Sequence, residues 1–141
     1  MFKKITCDLN KCVSCHTCEL SCAVEHSPGK DLFKAVMDDS LSLPRCQVSG
    51  VAESVSLSWR CQHCSPAPCV DACMSSAMAK DVEGKTGHDP EKCVGCWMCI
   101  MVCPFGAIKR SKKQAVKCDL CPDSIEYACV AHCPSKALSA K

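Results

Sequence analysis

Cysteine is the residue type in this sequence whose number and spacing could do chemistry. The chain of 141 residues contains 18 cysteines but only six Phe, Trp and Tyr residues together. An ordinary hydrophobic core depends on aromatic and branched side chains, so another interaction must hold this chain together. Cysteine above roughly 10% of a short chain indicates a disulfide scaffold in an oxidising compartment, or a bound metal in a reducing one.

Sixteen of the cysteines fall into four groups of four. The first and third groups have the spacing C-x2-C-x2-C-x3-C, the second has C-x2-C-x4-C-x3-C and the fourth has C-x2-C-x7-C-x3-C. In chain order the groups are Cys12, Cys15, Cys18 and Cys22; Cys61, Cys64, Cys69 and Cys73; Cys93, Cys96, Cys99 and Cys103; and Cys118, Cys121, Cys129 and Cys133. Cys7 and Cys46 stand outside the groups, and we expect both to be small packing residues in strands that bind no metal.

The groups alternate between two types, which indicates an internal duplication. Asp8–Cys18 (DLNKCVSCHTC) repeats as Asp89–Cys99 (DPEKCVGCWMC), and Cys69–Cys73 (CVDAC) repeats as Cys129–Cys133 (CVAHC). We call groups one and three type a, and groups two and four type b.

The spacing predicts iron–sulfur chemistry. Cysteines at every third position let one tight loop place three thiolates around a cuboidal iron–sulfur core, while the fourth cysteine ligates the other cluster of a pair. Four such groups predict four [4Fe–4S] clusters with all sixteen grouped cysteines as ligands. Metal–sulfur bonds that join two halves of the chain can replace a missing aromatic core.

Two other interpretations of the cysteines compete with this one. Zinc takes four ligands from two C-x2-C knuckles, as group two alone could supply, but the third in-step cysteine of each type a group would then have no role. A disulfide scaffold needs an oxidising compartment. Met1–Lys11 (MFKKITCDLNK) lacks the apolar region and cleavage site of a secretory signal, so we expect a cytoplasmic protein. No stretch approaches the roughly 18 apolar residues of a membrane helix, so we expect no membrane insertion.

The charge of the loaded protein would differ from that of the bare chain. The formal net charge is +2. Sixteen thiolates and four oxidised cores of charge 2+ would change it to about −6, so nucleic acid is not an expected partner. We also find no Ser/His/Asp arrangement, glycine-rich phosphate loop or carboxylate pair that would indicate a substrate site. The sequence therefore indicates no substrate site, as expected of a protein that is not itself an enzyme.

The segments between the groups predict the elements that position the cysteines. We expect a short helix after each fourth cysteine, and one over Asp31–Asp38. Three hairpins are predicted: Arg45–Val48 with Ser54–Trp59 around Gly50, Ala77–His88 turning at Glu83–Gly84, and Ala107–Val116 turning at Arg110–Lys113. Trp97 is expected to pack against a cluster or a neighbour, and the basic run 109–113 to be a solvated turn. The predicted architecture is small α+β, with short helices, hairpins and many loops.

The four groups in this order resemble the four-cluster, ferredoxin-like electron-transfer subunits of molybdopterin oxidoreductases, hydrogenases and carbon monoxide dehydrogenases. Cys18–Ser27 (CELSCAVEHS) and Cys93–Ile108 (CVGCWMCIMVCPFGAI) look like the CooF-type iron–sulfur subunit of carbon monoxide dehydrogenase. The resemblance implies a relay of low-potential electrons from that enzyme to a hydrogenase, a ferredoxin or an NAD(P)-reducing flavoprotein. A formate dehydrogenase or a hydrogenase is the alternative catalytic partner.

The resemblance also implies how the groups pair. Groups two and three would form an inner two-cluster unit (61–108), and groups one and four an outer one (1–22 with 109–141), the two being pseudo-symmetric. Residues 23–60 would be an insertion with a β-hairpin. The implied ligand sets are Cys61, Cys64 and Cys69 with Cys103; Cys93, Cys96 and Cys99 with Cys73; Cys12, Cys15 and Cys18 with Cys133; and Cys118, Cys121 and Cys129 with Cys22.

Overall fold

The structure, a computed structural model, describes residues 3–52 and 55–141 of the chain. Its helices are few and its strands are short, which agrees with the predicted α+β class. The elements in chain order are β1 (Ile5–Cys7), α1 (Thr17–Glu25), α2 (Leu32–Met37), β2 (Cys46–Ala52), β3 (Val55–Arg60), α3 (Pro68–Asp71), β4 (Met78–Lys80), β5 (Thr86–His88), α4 (Met98–Met101), β6 (Ile108–Ser111), β7 (Gln114–Lys117), α5 (Ala128–Ala131) and β8 (Leu138–Ala140). No helix within the described ranges is both long and apolar enough to cross a membrane.

The described strands pair two by two, as β1–β8, β2–β3, β4–β5 and β6–β7. The β1–β8 pair is antiparallel and joins the two ends of the chain, with Ile5 opposite Ala140 and Cys7 opposite Leu138. Sequence analysis did not predict this pair. Three-residue strands far apart in the chain have neither a hairpin turn between them nor a long enough alternating pattern to reveal them.

Two of the predicted hairpins are confirmed. Between β4 and β5, the carboxylate of Asp81 accepts hydrogen bonds from the backbone N–H groups of Glu83 (3.0 Å) and Lys85 (2.8 Å), which stabilises the turn. Between β6 and β7 the chain reverses at Lys112, whose φ is 45°. An acidic side chain that caps its own turn is the local chemistry expected of such a sequence.

The strands of the remaining predicted hairpin pair as β2–β3, but the predicted turn at Gly50 is wrong. Gly50 lies inside β2, which continues to Ala52, and β3 starts at Val55. The predicted start of the second strand, Ser54, lies outside the described residues. Glycine is permissive in strands as well as in turns, and here the flanking valines favour the strand.

The predicted position of the helices is also wrong. Four helices begin one residue before the third cysteine of a group, and α3, α4 and α5 end before the fourth. In groups three and four a proline, Pro104 or Pro134, follows the fourth cysteine directly. The third and fourth cysteines are four residues apart, about one helical turn, and this turn is the helical part of groups two, three and four. The helix predicted over Asp31–Asp38 is confirmed as α2, where the Asp31 carboxylate accepts from the N–H of Lys34 at 2.9 Å.

The chain divides into two compact units. The first unit is built around Arg60–Asp119 and contains groups two and three together with Cys118. The second unit consists of Lys4–Trp59 and Leu120–Lys141 and contains group one with the rest of group four.

Cysteines make up much of the interior of the first unit. Its buried cluster consists of Met78, Cys99, Ile108 and Ala115. Four more cysteines pack against that cluster in partly buried positions: Cys69, Cys73, Cys93 and Cys103. Metal–sulfur bonds through these side chains would therefore stabilise the interior directly.

Gly95 in the third group is required by a close contact. Its φ is +71°, and a Cβ atom there would lie 2.6 Å from the carbonyl oxygen of Lys113, in the β6–β7 turn. The equivalent residue in group one is Ser14, which has a φ of 54° and a side chain that hydrogen-bonds to Ser56. The loop conformation thus tolerates a side chain, and it is the approach of the hairpin that excludes one at residue 95.

We expect Gly95→Ala to lower the free energy of unfolding by about 1–3 kcal/mol, the usual cost of forcing atoms into a packed site. Thermal unfolding of the anaerobically purified protein, monitored by circular dichroism, measures this. Ser14→Ala, at the equivalent loop position, is the control and should change the unfolding midpoint little. Equal midpoints for Gly95→Ala and the unsubstituted protein would contradict the steric argument.

Candidate metal centres

Two cavities in the first unit are each lined by four grouped cysteines. The first, called site 1, contains Cys61, Cys64, Cys69 and Cys103 and has an empty volume of about 330 Å³. The second, called site 2, contains Cys73, Cys93, Cys96 and Cys99 and has an empty volume of about 310 Å³. Each site takes three cysteines from one group and the last cysteine of the other group. These are the sets that the family resemblance implied.

A third cavity lies in the second unit and is called site 3. It contains Cys12, Cys15 and Cys18 of group one with Cys133 of group four, and its empty volume is about 290 Å³. Residues far apart in the chain meet here because β1 and β8 pair: Leu138, which lines the cavity, lies opposite Cys7. The strand pair that the sequence did not reveal thus positions a predicted ligand.

The type a loops turn their cysteines towards one point through repeated left-handed residues. In group one, Ser14 and His16 have φ values of 54° and 57°. In group three, Gly95 and Trp97 have φ values of 71° and 64°. A left-handed residue after each of the first two cysteines bends the backbone sharply, so that thiols three residues apart share one cavity.

The last cysteine of groups two and four is held by the same local contacts. Burial raises the pKa of Cys73, but hydrogen bonds from backbone N–H groups, led by Met78 (3.3 Å), and from the Ser75 hydroxyl outweigh it and leave the pKa below its usual value. Burial, backbone N–H groups led by Leu138 and the Ser135 hydroxyl act in the same way on the pKa of Cys133. Both side chains therefore favour the thiolate, the form that binds metal, more than an ordinary cysteine does.

For other predicted ligands, burial beside neighbouring thiols raises the pKa instead of lowering it. Burial raises the pKa of Cys99, and the charges of Cys73, Cys93 and Cys96 raise it further. Burial likewise raises the pKa of Cys69, with Cys61 as the next contribution. Thiolates in a low-dielectric cavity repel one another, and a multivalent cationic core removes that penalty.

The residues around site 1 fit an iron–sulfur cluster. Thr86 lines the cavity and is only 1% exposed. Within the described residues its buried hydroxyl has no hydrogen-bond partner. A buried donor that faces no acceptor is costly, whereas the sulfur atoms of a cluster accept such hydrogen bonds. Four thiols that line one cavity and a spare donor together suit a [4Fe–4S] cluster.

Three cysteines of the fourth predicted set belong to the second unit. α1, which carries Cys22, packs against α5, which carries Cys129. His26 Nδ1 lies 3.8 Å from Cys22 Sγ, and a ring nitrogen of His26 lies within 4.8 Å of Cys121 Sγ. The hydroxyl of Ser124 donates to Glu25 at the end of α1, which holds the loop after Cys121 in place. The remaining member, Cys118, belongs to the first unit.

Cys46 is more than the packing residue that the sequence indicated. It is 3% exposed, and its Sγ lies 3.4 Å from the carbonyl oxygen of Cys18. A hydrogen bond from Cys46 is the main cause that lowers the pKa of Cys22 to about 4, against the effect of burial. His26 and the backbone N–H of Arg45, at 3.2 Å from Cys22 Sγ, act in the same direction. No spacing rule in the sequence could have revealed this contact.

Trp97 packs against a neighbour, as predicted, and that neighbour is part of the basic run. The guanidinium carbon of Arg110 lies 4.3 Å from the centroid of the Trp97 ring. A cation over an aromatic face is stabilised by about 0.5–1 kcal/mol at exposed positions. The contact holds the β6–β7 hairpin against the loop of site 2.

Cross-ligation can be tested with one pair of variants. We expect Cys103→Ser to perturb the cluster of group two, because Cys103 lines site 1, and Cys73→Ser to perturb the cluster of group three. Electron paramagnetic resonance (EPR) spectra of the reduced variants should show two different signals altered, one by each substitution. If Cys103→Ser and Cys61→Ser altered different signals, each group would hold its own cluster.

The two ungrouped cysteines should not be ligands. We expect the Cys7→Ala/Cys46→Ala double variant to keep about sixteen iron atoms per chain, the content of four four-iron clusters. Iron and acid-labile sulfide analysis after anaerobic purification measures this. Loss of about four iron atoms, with the Ser14→Ala variant fully loaded, would contradict this expectation.

Comparison with known proteins places the chain in a family. Residues 52–141, more than half of the chain, match the 4Fe-4S dicluster domain. The chain is 37% identical over 145 residues to the "Iron-sulfur protein" of Rhodospirillum rubrum, covering 90% of this chain and 75% of that protein. It is 34% identical over 157 residues to the electron transport protein HydN of Escherichia coli K12 (98% of this chain, 87% of HydN). It is 34% identical over 126 residues to the formate dehydrogenase iron-sulfur subunit of Wolinella succinogenes (84% of this chain, 60% of that subunit). The chain therefore belongs to the 4Fe-4S dicluster domain family and is an electron-transfer iron–sulfur protein.

Proposed function

We propose that the chain holds four [4Fe–4S] clusters and relays low-potential electrons from carbon monoxide dehydrogenase to a hydrogenase, a ferredoxin or an NAD(P)-reducing flavoprotein. A bound cluster of this type supplies one-electron redox chemistry at a potential that its surroundings adjust. The chain itself has no substrate site in this proposal. The observation that carries it is that three cavities each collect four cysteines from two different groups.

The proposed ligands are the sixteen grouped cysteines. Sites 1, 2 and 3 would each hold one cluster, and Cys118, Cys121 and Cys129 with Cys22 would hold the fourth. Sites 1 and 2 each take their fourth ligand from the other group. Loss of Cys73 or Cys103 would therefore disturb the cluster held mainly by the other group. Such interlocking favours a fixed spacing between centres, which an electron relay needs.

The residues around the ligands would set the potentials. Sulfur atoms that accept hydrogen bonds stabilise the more negative, reduced state, and the backbone N–H groups at Cys73, Cys133 and Cys22 are such donors. Ligation by cysteine alone acts in the other direction, since histidine ligands raise the potential. The charge of about −6 expected for the loaded chain also disfavours added electrons, which suits a low-potential carrier.

Two ligands mark where electrons could enter and leave. Cys15 in site 3 and Cys96 in site 2 are exposed, whereas the other grouped cysteines are buried or half-buried. Electron transfer between proteins needs a redox centre close to the surface. We therefore propose that the donor and the acceptor approach the loops that carry these two residues.

The choice of donor rests on two sequence stretches. Cys18–Ser27 and Cys93–Ile108 look like the CooF-type subunit, which supports carbon monoxide dehydrogenase as the partner. A low-potential donor also suits the all-cysteine ligand set. We place this exchange in the cytoplasm, where reducing conditions keep cysteines free to bind iron.

A formate dehydrogenase, or another molybdopterin oxidoreductase or hydrogenase, is the second candidate partner. The observation that favours it is the relative from Wolinella succinogenes, whose name is that of a formate dehydrogenase iron-sulfur subunit. In this alternative the chain keeps the same clusters and the same role as an electron carrier, and only the enzyme that supplies the electrons changes.

Reduction by purified donor enzymes distinguishes the two candidates. With a catalytic amount of carbon monoxide dehydrogenase and CO, we expect the visible absorption of the oxidised clusters to bleach about tenfold faster than with formate dehydrogenase and formate, about 1.4 kcal/mol in activation free energy. An unrelated two-cluster ferredoxin is the control for nonspecific reduction. The opposite preference would support the second candidate, and stoichiometric zinc without sulfide would overturn both.

A further inference from the structure

A cationic residue precedes the first cysteine of every group, but its surroundings differ between the two types. In type a groups these residues are exposed and form ion pairs with an aspartate three residues earlier. Lys11 lies 3.6 Å from Asp8, and Lys92 lies 3.1 Å from Asp89, with lysine side chains 60% and 62% exposed. Ion pairs this exposed contribute little and are screened by water.

In type b groups the same position is buried. Arg60 precedes Cys61 and is 2% exposed, and Lys117 precedes Cys118 and is 3% exposed. Lysine and arginine are almost never buried without a compensating partner. The two group types therefore differ in whether the cationic residue before the first cysteine is exposed or buried.

The Lys117 ammonium lies beside site 1. Its Nζ donates hydrogen bonds to the carbonyl oxygens of Thr86 and Cys118, the latter at 3.0 Å. Thr86 lines site 1, and so does Ile108, the residue opposite Lys117 in the β6–β7 pair. Among the residues that the structure describes, no carboxylate forms an ion pair with Lys117.

This burial is unfavourable for the chain alone. A buried ion keeps a desolvation penalty of several kcal/mol that two carbonyl dipoles offset only in part. Four thiolates around a 2+ core carry a net charge of about −2, and the reduced cluster carries about −3. A cluster in site 1 would supply the missing countercharge.

The field of Lys117 reaches this site. Burial and the charge of Cys61 raise the pKa of Cys69, and the charge of Lys117 is the largest effect that opposes them. Burial lowers the pKa of His63 to about 4, with the charge of Lys117 as the next cause.

We propose that Lys117 is the countercharge of the cluster in site 1 and makes site 1 the position in the first unit where an electron is held most strongly. The proposal rests on the proposed function, since it needs a cluster in that cavity. A nearby positive charge stabilises the added electron and raises the midpoint potential. Site 2, in the same unit, has the exposed Lys92 before its first cysteine.

Redox titration of the loaded full-length protein with dithionite, monitored by EPR, tests the assignment without any partner enzyme. In Lys117→Met, which keeps an unbranched side chain but removes the charge, we expect one midpoint potential to become more negative and the others to stay unchanged. The affected signal should be the one that Cys103→Ser alters. Lys92→Met, the equivalent position in group three, is the matched control and should shift no midpoint. Lys117→Arg, which keeps the charge, should leave the midpoint near that of the unsubstituted protein.

An unchanged midpoint in fully loaded Lys117→Met would overturn the proposal, and so would equal shifts in the Met and Arg variants. If Lys117→Met loses iron from site 1, Lys117→Arg decides: full iron content supports the countercharge, whereas loss of iron there as well rules it out. The proposed function would fail separately, through absence of iron and sulfide in the unsubstituted protein or through the wrong donor preference. Neither of those results depends on residue 117.

Discussion

The chain gathers its cysteines into small cavities, where thiolates would repel one another. The fold depends on relieving that repulsion. In site 2, burial and three neighbouring cysteines all raise the pKa of Cys99, so the bare ligand set resists the charged form that binding requires. A cationic core turns this repulsion into attraction. With few aromatic residues and cysteines packed around Met78 and Ile108, the interior of the first unit has little else to stabilise it. Folding and cluster binding should therefore be strongly coupled.

The parts of the structure that local spacing determines could be predicted from the sequence. Turn chemistry located the β4–β5 and β6–β7 hairpins, and an aspartate at each end located α2. The cysteine spacing alone does not distinguish a helix after the fourth cysteine from one between the third and the fourth. Glycine, as at Gly50, allows both turn and strand conformations. The β1–β8 pair and the contact of Cys46 with Cys22 join residues far apart in the chain. No periodicity records such contacts, and only the folded chain shows them.

The duplication visible in the sequence has produced two kinds of environment. The repeated residues after Cys73 and Cys133 make the same hydrogen bonds to sulfur, which is what a duplicated ligand loop should retain. The residues before the first cysteines differ between the two group types, since Lys92 is paired and exposed whereas Lys117 is buried. The loops that carry the last cysteines of the type b groups therefore keep the same geometry. The exposure of the charged residue before the first cysteine differs between the group types, and such a difference can change the potential of a cluster without moving a ligand.

There is a physical reason to adjust a potential through a nearby charge and not through a ligand. Moving a ligand sulfur would strain the cluster, and a change of ligand type would alter both charge and geometry at once. A charge or a hydrogen-bond donor behind the ligands acts through the field alone, and its effect grows as water is excluded. A buried lysine such as Lys117 is well suited to this, because backbone carbonyl groups, those of Thr86 in β5 and of Cys118 directly after β7, hold its ammonium in place. Chemically identical iron–sulfur centres can in this way acquire different potentials, and differences in potential give an electron relay its direction.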